Sequence, residues 1–255
     1  MQIVPLPAFR DNYIWLLRDG ANAAVVDPGD ATPVLDYLRA EGLSLTAILA
    51  THHHDDHVGG IPALLQKHPV PVFGLAGEPI PGLSRALADG DEFELPGLAF
   101  RFRVLAVPGH TLGHGAYYGA NLLFCGDTLF ACGCGRLFEG TPSQMYASLA
   151  RLAALPGNTQ VYCAHEYTEA NIRFALAVEP ENARLQARAL ETRARRAAGE
   201  ATVPFRLDEE LATNPFLRSD APEIIASAAG HAGRPLAGAV DVFTEIRAWK
   251  NGFSG

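Results

Sequence analysis

Histidine and aspartate side chains are concentrated in one short segment of the chain, T-H-H-H-D-D-H-V-G-G at residues 51–60. Imidazole nitrogens and carboxylate oxygens are the ligand set of Zn²⁺ and of borderline metals such as Fe and Mn. In an extended segment His52 and His54 point the same way, and Asp56 continues that alternation, while His53 points away. A kink into a following helix would turn Asp56 and His57 toward a second position. The segment can therefore serve two metal ions, and adventitious metal binding by a histidine-rich patch is the alternative.

Three further ligand-type residues stand at matching places downstream, each at the end of an apolar run. The runs 45–50, 98–107, 121–125 and 159–164 are followed by His52, His110, Asp127 and His165. Apolar and alternating runs of this length predict strands, so these four side chains are expected on one rim of a sheet assembly. We predict the α/β class and an αββα sandwich whose strand ends open into one cleft.

Turn and capping residues predict helices between these strands. Thr32 and Pro33 are expected to start a helix as its cap and first residue, and Gly42 is expected to end it. Ile61 and Pro62 open a second short helix directly after the histidine segment, which places that segment at a strand-to-helix corner.

The sequence changes character after residue 165 and becomes rich in Ala, Arg and Glu with helical periodicity, notably over 181–199. We predict a metal-binding catalytic domain over 1–165 and a helical substrate-binding domain over 166–255. Acidic residues intersperse the R-A-R-R run at 193–196, which indicates a solvated helix face rather than a patch for nucleic acid.

The composition excludes several classes of protein. The chain of 255 residues has a net charge of −8 and a pI near 5.6, which disfavours a nucleic-acid partner. The N-terminus shows no basic region followed by an apolar one, and no apolar run approaches the ~18 residues of a membrane helix, so we expect a soluble, cytoplasmic protein.

The cysteines lie in or beside strand-like sequence and suit reduced, buried thiols: Cys125, Cys132, Cys134 and Cys163. The pair Cys132-x-Cys134 could ligate metal, but a second pair at a finger-like spacing is missing.

The motifs T-H-H-H-D-D-H, P-G-H-T, G-D-T-L-F and A-H-E-Y-T resemble the metal motifs of the metallo-β-lactamase superfamily. The segments G-C-G-R-L-F-E-G-T, H-E-Y-T, T-N-P-F-L-R and R-A-W-K-N-G-F are similar to glyoxalase II, the hydroxyacylglutathione hydrolase family. The resemblance covers nearly the whole chain.

The resemblance implies a site with two metal ions and assigns ligands to each of them. One ion is held by His52, His54 and His110, the other by Asp56, His57 and His165, and Asp127 bridges them. Asp55 stands where many family members carry an aromatic residue, and Asp27 is expected to orient a ligand histidine rather than to bind metal. His68, His231 and His53 fall outside the pattern, and the role of His114 stays open.

The chemistry follows from these ligands. Two close metal ions lower the pKa of a bound water from 15.7 toward about 7 and supply a bridging hydroxide, with Asp56 and Asp127 as the catalytic carboxylates beside it. A G-x-S-x-G nucleophile elbow is absent from the sequence. A thioester suits this chemistry, because a thiol with a pKa of about 8.5 leaves without a strong general acid.

The resemblance also implies contacts to a glutathione thioester. They match Arg136, Phe138, Tyr167, Arg247 and Lys250, with Arg136 standing where some relatives have Lys and Phe138 where some have Tyr. We expect Arg247 and Lys250 to be partly exposed cations that lower KM and whose effect weakens with salt. An ordinary solvated pair on a helix is the alternative for these two.

Other functions remain open at this point. The same fold carries lactonases, β-lactamases and tRNA-processing nucleases, and a similar ligand set holds one iron in a glutathione persulfide dioxygenase. A metal-binding module without enzymatic activity is a further alternative. Among metals we expect Zn, with Fe or Mn also compatible with the ligands, and we expect a monomer.

Overall fold

The structure is a computed structural model that describes residues 1–254, and these residues form two compact units. Unit 1 comprises Met1–Ala106 and Gly113–Gly126, and unit 2 comprises Val107–Leu112 and the residues from Asp127 onward. The functional boundary expected after residue 165 stays a prediction.

The first sheet of unit 1 carries the strand that leads into the histidine segment. Its strands run in the order β1-β2-β3-β4-β5-β6, with β1 to β3 antiparallel and β3 to β6 parallel. Their bounds are Gln2–Ala8, Asn12–Asp19, Asn22–Val26, Ser44–Leu49, Val72–Leu75 and Arg85–Leu87. The predicted strand 45–50 is confirmed as β4 to within a residue.

The helices of unit 1 begin and end at local sequence signals. They are α1 Ala31–Glu41, α2 Asp55–Val58 and α3 Ile61–Lys67. The expectation that Thr32 caps α1 is wrong, because Asp30 is the cap and its Oδ1 accepts a hydrogen bond from the Thr32 backbone N–H at 2.8 Å. Gly42 ends the helix as predicted, with φ of 63° in the left-handed region.

Both faces of the first sheet are buried. Along β2, Ile14 and Leu16 belong to the core shared with Val34 of α1 and Leu64 of α3. Trp15 lies between them and is 2 % exposed, so it faces the opposite side of the sheet. A buried sheet needs cover on both faces, and the helices supply it on one.

A second, antiparallel sheet covers the other face. Its unit 1 strands run in the order β10-β9-β8-β7 and span Glu92–Glu94 (β7), Arg101–Ala106 (β8), Gly115–Gly119 (β9) and Leu122–Gly126 (β10). Phe73 of β5 stacks on Phe93 of β7 with ring centroids 4.8 Å apart, and the buried Tyr117 hydroxyl donates to the Ala50 carbonyl at 2.6 Å. The predicted β-sandwich is therefore confirmed within unit 1.

Unit 2 is mainly helical. It contains the hairpin β11 Leu129–Phe130 and β12 Gly133–Cys134, the strand pair β13 Gln160–Cys163 and β14 Phe205–Arg206, and a 3-10 helix at Pro215–Leu217. Its helices are α4 Pro142–Ala153, α5 Thr168–Val178, α6 Ala183–Ala197, α7 Leu207–Thr213, α8 Pro222–Ala232 and α9 Ala239–Gly252. The helix expected over 181–199 corresponds to α6.

A buried ion pair ties the hairpin of unit 2 to two helices. Arg188 of α6 lies 2.5 Å from Glu210 of α7, and Glu210 also accepts hydrogen bonds from the Cys132 N–H and from Asn214. Glu210 is fully buried, and burial raises the pKa of its carboxyl group.

Two further expectations have an outcome here. The four cysteines are buried thiols, as predicted. Among residues 1–254, no helix combines the length and the apolar character that crossing a membrane requires.

Candidate metal centre

The histidine segment lies at the corner where β4 gives way to α2. The chain leaves β4 at Leu49, and the rings of His52 and His54 then converge, with His52 Nε2 3.0 Å from His54 Nδ1. His52 is fully buried. Asp56 and His57 lie in the single turn of α2, which is the kink that the alternating pattern required.

Asp27 organises this corner from the end of β3. Its Oδ1 accepts a hydrogen bond from the Thr51 N–H at 2.7 Å, and its Oδ2 accepts one from the Thr51 hydroxyl at 2.8 Å. The same Oδ2 lies 3.0 Å from His57 Nδ1, so His57 presents its Nε2 toward Asp56 Oδ2 at 3.6 Å. A carboxylate behind a ligand histidine fixes the ring orientation and its tautomer, as expected for Asp27.

Asp27 also adopts an uncommon backbone conformation, with φ of 54°. The left-handed region is disfavoured for residues with a Cβ, although aspartate tolerates it better than most. Backbone strain of this kind is concentrated at functional sites, where the surrounding contacts hold it in place. Here the hydrogen bonds to Thr51 and His57 provide that restraint.

Asn12 is a residue that the sequence analysis missed. Its side-chain amide donates a hydrogen bond to Asp56 Oδ2 at 3.0 Å, and Asn12 is buried at the start of β2. The two residues are 44 positions apart, and a lone asparagine beside a strand carries no local signal for this contact.

Unit 2 holds the three predicted ligands from downstream strand ends. Asp127 lies between two histidines, with Oδ2 3.5 Å from His110 Nε2 and Oδ1 3.3 Å from His165 Nε2. His110 Nδ1 lies 2.8 Å from the carbonyl oxygen of Arg136, which makes Nδ1 the donor and directs Nε2 toward Asp127. All three side chains are at least 90 % buried.

The predicted ligands fit a dimetal site. The seven are among the His and Asp side chains grouped as able to hold a metal ion, four of them in unit 1 and three in unit 2: His52, His54, Asp56, His57, His110, Asp127 and His165. These donors are nitrogen and carboxylate oxygen, the set that Zn²⁺, Fe and Mn accept. Within residues 1–254, no group of this kind includes a cysteine, so Cys132 and Cys134 gain no support as ligands.

A cavity of about 390 Å³ in unit 2 brings ligands and expected substrate contacts together. Two predicted metal ligands, His110 and Asp127, line it. All five expected substrate contacts line it as well: Arg136, Phe138, Tyr167, Arg247 and Lys250. The volume lies within the range of small-molecule sites, roughly 300–1,000 Å³. Phe130, Cys134, Ala170 and Asn171 complete the walls and were not anticipated.

The expectation that Arg247 is a partly exposed cation is wrong. Its side chain is 5 % exposed, and its Nη1 donates to the Cys134 carbonyl at 2.8 Å. Its Nη2 donates to Asn251 Oδ1 at 3.1 Å, and the guanidinium lies over the Phe216 ring at 5.1 Å. Arg247 therefore connects α9 to β12 through a buried hydrogen bond, and it is not part of a solvated pair.

Lys250 is half-buried one turn further along α9. Its Nζ donates a hydrogen bond to the Ala170 carbonyl at 2.9 Å. Burial lowers the pKa of its ammonium group to about 8, and the positive charges of Arg247, Arg173 and Arg136 act in the same direction. Lys250 thus changes charge near neutral pH, which an exposed lysine does not do.

Aromatic rings that line the cavity contact two predicted metal ligands of unit 2, His165 and His110. Tyr167 stacks on His165 with centroids 4.6 Å apart and an interplanar angle of 3°. The Phe138 ring meets His110 edge-on at 5.2 Å and is 63 % exposed. Phe138 lacks a hydroxyl group, so its side chain offers an apolar surface to a ligand.

The remaining histidines have other surroundings. His53 Nδ1 lies 2.5 Å from the buried Glu78, His68 is the C-terminal cap of α3, and His231 pairs with Glu245 at 2.7 Å. His114 is fully buried and stacks on His52, with centroids 4.6 Å apart and an interplanar angle of 20°. Its place beside the predicted ligand His52 was not anticipated, although His114 stands four residues after His110 in P-G-H-T-L-G-H.

Comparison with known families agrees with the motifs. The family model of the metallo-beta-lactamase superfamily matches residues 8–165, and the model described as hydroxyacylglutathione hydrolase C-terminus matches residues 166–253. A relative from Alkalilimnicola ehrlichii named hydroxyacylglutathione hydrolase is 57 % identical over 252 residues, which is 98 % of each chain.

Two solved structures are similar to a large part of this chain. ETHE1 from Myxococcus xanthus superposes with a TM-score of 0.65 at 28 % identity and covers 84 % of each chain. TTHA1623, crystallised in a di-iron-bound form, superposes with a TM-score of 0.54 at 32 % identity over 65 % of this chain and 92 % of its own. These matches confirm the predicted fold, which combines mixed α/β layers with a helical C-terminal region.

The family resemblance and the metal-binding expectation are therefore both confirmed. Strand ends and helix starts deliver His and Asp ligands in the manner of the superfamily, and the C-terminal match narrows the assignment. The chain belongs to the hydroxyacylglutathione hydrolase family of the metallo-β-lactamase superfamily.

Proposed function

We propose that this protein hydrolyses S-(2-hydroxyacyl)glutathione thioesters, such as S-lactoylglutathione, to glutathione and a hydroxy acid. The observation that carries the proposal is the cavity in which His110 and Asp127 share about 390 Å³ with cationic side chains. Glutathione has two carboxylates remote from the thioester, and cationic side chains are their natural receivers. The relative named hydroxyacylglutathione hydrolase supports this activity along 98 % of the chain.

The proposed ligand set uses all seven predicted residues. His52, His54 and His110 hold one ion, Asp56, His57 and His165 hold the other, and Asp127 contributes to both. When bound, the two ions lower the pKa of a water and act as a Lewis acid toward the carbonyl oxygen. We propose Zn as the natural metal, and the same nitrogen and oxygen donors accept Fe or Mn.

The side chains around the ligands keep them in position for this chemistry. Asp27 holds His57 through Nδ1 at 3.0 Å, and the Arg136 carbonyl holds His110 through Nδ1 at 2.8 Å. We assign Asp56 and Asp127 the catalytic role of orienting the attacking water through their carboxylate oxygens. Asn12 restrains Asp56 while it does so. A fixed array of dipoles and charges lowers the barrier because it needs no reorganisation during the reaction.

The leaving group needs little help from the protein. A thiol with a pKa of about 8.5 departs as thiolate, whereas the amine of an amide must be protonated before it leaves. Arg136 and Lys250 line the cavity, and a nearby positive charge also stabilises a thiolate. The site is therefore better suited to thioesters than to peptides.

We assign substrate binding to the five residues that line the cavity with His110 and Asp127. Arg136 and Lys250 receive carboxylates of glutathione, and the rings of Phe138 and Tyr167 contact the peptide. Arg247 lines the cavity with them but is 5 % exposed, and we assign it to holding the wall in place, since its guanidinium donates to the Cys134 carbonyl. We further propose that residues 1–165 form the catalytic domain and residues 166–255 the substrate-binding domain.

We propose that the protein acts as a monomer in the cytoplasm. All seven proposed ligands and the cavity belong to one chain, so a second copy is not needed to complete the site. The buried cysteine thiols fit a reducing compartment. Size-exclusion chromatography with light scattering tests the first point.

The test is a thioesterase assay on protein of measured metal content. A panel of acyl-glutathiones is compared with thioesters of a simple thiol, with and without oxygen. We expect turnover of the glutathione thioesters, independent of oxygen, in proportion to bound metal. His68→Ala is the matched control, because His68 caps α3 away from the proposed ligands. Equal turnover of both substrate classes would remove glutathione from the proposal, and oxygen dependence would indicate redox chemistry instead.

A further inference from the structure

Lys250 is unusual within this chain because it is one of two lysines. Eighteen of the twenty basic residues are arginine, and the other lysine, Lys67, is exposed at the end of α3. Lys250 lines the same cavity as His110 and Asp127, and its Nζ is held by the Ala170 carbonyl at 2.9 Å. An amine is thus fixed in the space where the proposed substrate binds.

Positive charges surround this amine from three segments of the chain. Arg247 lies on the same helix, Arg173 on α5, and Arg136 follows β12, while the buried Cys134 thiol acts in the opposite direction. The other titratable groups that line the cavity are His110, Asp127 and Tyr167. Together with burial, the arginines lower the pKa of Lys250 to about 8. At mildly alkaline pH a large fraction of Lys250 is therefore neutral, and a neutral amine is a nucleophile.

We propose that Lys250 is a site of self-acylation by the acyl-glutathione bound in the cavity. The inference rests on the proposed function, since it takes the same thioester as its acyl donor. The neutral amine no longer pairs with a carboxylate of glutathione. Its nitrogen lone pair attacks the thioester carbonyl carbon of substrate in the same cavity, a C–N bond forms, and the C–S bond breaks. Glutathione leaves as thiolate, and the proton lost from nitrogen passes to the thiolate or to solvent. The products are an amide on Lys250 and free glutathione, with no oxidant or reductant consumed.

Hydrolysis and self-acylation share the substrate but differ in what accumulates. Hydrolysis regenerates the enzyme in each turnover, whereas the amide persists because its nitrogen is a poor leaving group. Acylation removes the positive charge of Lys250, so the modified enzyme binds the anionic substrate less well. Acylation of Lys250 therefore lowers the rate of hydrolysis gradually while the thioester is present.

Peptide mapping by mass spectrometry tests the proposal on the metal-loaded protein. S-lactoylglutathione is replenished over hours while thiol release is measured in the same sample. We expect acylation of Lys250 to exceed that of exposed Lys67 by about tenfold or more, because binding raises the local concentration of the acyl donor. The rate at Lys250 should rise with pH and level off above about 8.

Two variants provide matched controls. Lys250→Arg keeps the charge and cannot form a stable amide, so the cavity adduct should disappear. Lys67→Arg removes the other lysine and should keep both turnover and the Lys250 adduct. Thiol release without a Lys250 adduct, or equal acylation of both lysines, overturns this inference and leaves the hydrolase proposal intact. A Lys250 adduct without catalytic turnover supports self-acylation and counts against the hydrolase proposal.

Discussion

Arg247 offers the sharpest separation between a binding role and a supporting role. Replacing it with Ala removes its hydrogen bonds to the Cys134 carbonyl and to Asn251, together with its contact to the Phe216 ring. The Cys134 carbonyl lies on a buried strand and loses its side-chain donor. The effect should therefore appear first in the free energy of unfolding.

The magnitude follows from those contacts. Two hydrogen bonds from a charged donor contribute about 1.5 kcal/mol each at the low end, and the contact between cation and ring adds about 0.5–1 kcal/mol. Release of the desolvation penalty of the guanidinium offsets part of this sum. A net loss of about 2–3 kcal/mol lowers Tm by about 4–12 °C in a protein of this size.

The assay compares Arg247→Ala with Arg136→Ala. Both residues line the cavity, but Arg136 is exposed, so its removal should raise KM and leave Tm within about 1–2 °C. Added salt should reduce the KM effect of Arg136→Ala and leave the Tm effect of Arg247→Ala nearly unchanged, because buried charges are screened less. An Arg247→Ala protein with wild-type Tm and raised KM would refute the supporting role and restore the direct contact.

Three further outcomes test the site and the fold. Asp127→Ala should lose both metal and thioesterase activity in parallel, and a metal-loaded, active variant would contradict its role at both ions. KM for acyl-glutathione should rise as pH increases through about 8, because Lys250 loses the proton that gives it charge, and Lys250→Arg should abolish that rise. Glu210→Ala should lower the free energy of unfolding by about 3 kcal/mol, measured by urea denaturation, because buried Arg188 loses its closer partner and keeps only Glu209 at 3.5 Å as an acidic neighbour.

The strand-end ligands could be predicted because they depend on local sequence. Apolar runs predict strands, and His52 and Asp127 stand directly at the ends of two of them. The start of α3 was also predictable, since Gly59 and Gly60 and the following Ile61-Pro62 indicate a helix start, whereas the single turn of α2 within the histidine segment was not predicted. These signals depend only on residues that are close together in the chain, so they can be read from a single sequence.

The supporting contacts could not be predicted because they join distant parts of the chain. Asn12 meets Asp56 across 44 positions, and Arg247 meets Cys134 across 113. Arg247 follows Ile246 in a helix whose charges look solvated, and only the packing of α9 shows that its guanidinium is buried. The wrong prediction of the α1 cap has a local cause. Asp30 and Thr32 are both good capping residues, and in the structure Asp30 is the cap.

The different roles of Arg247 and Lys250 follow from their positions three residues apart on α9. Residues at this spacing share one face of a helix, but Arg247 is directed at the β12 carbonyl and Lys250 at the α5 carbonyl of Ala170. Arg247 fixes where Cys134 and the cavity wall lie, while Lys250 supplies a charge that varies with pH. A change in substrate affinity after Arg247→Ala would therefore be indirect, and it should be accompanied by loss of stability. The same change after Lys250→Met should occur at an almost unchanged Tm, because the half-buried amine gives up one hydrogen bond together with the cost of its own desolvation.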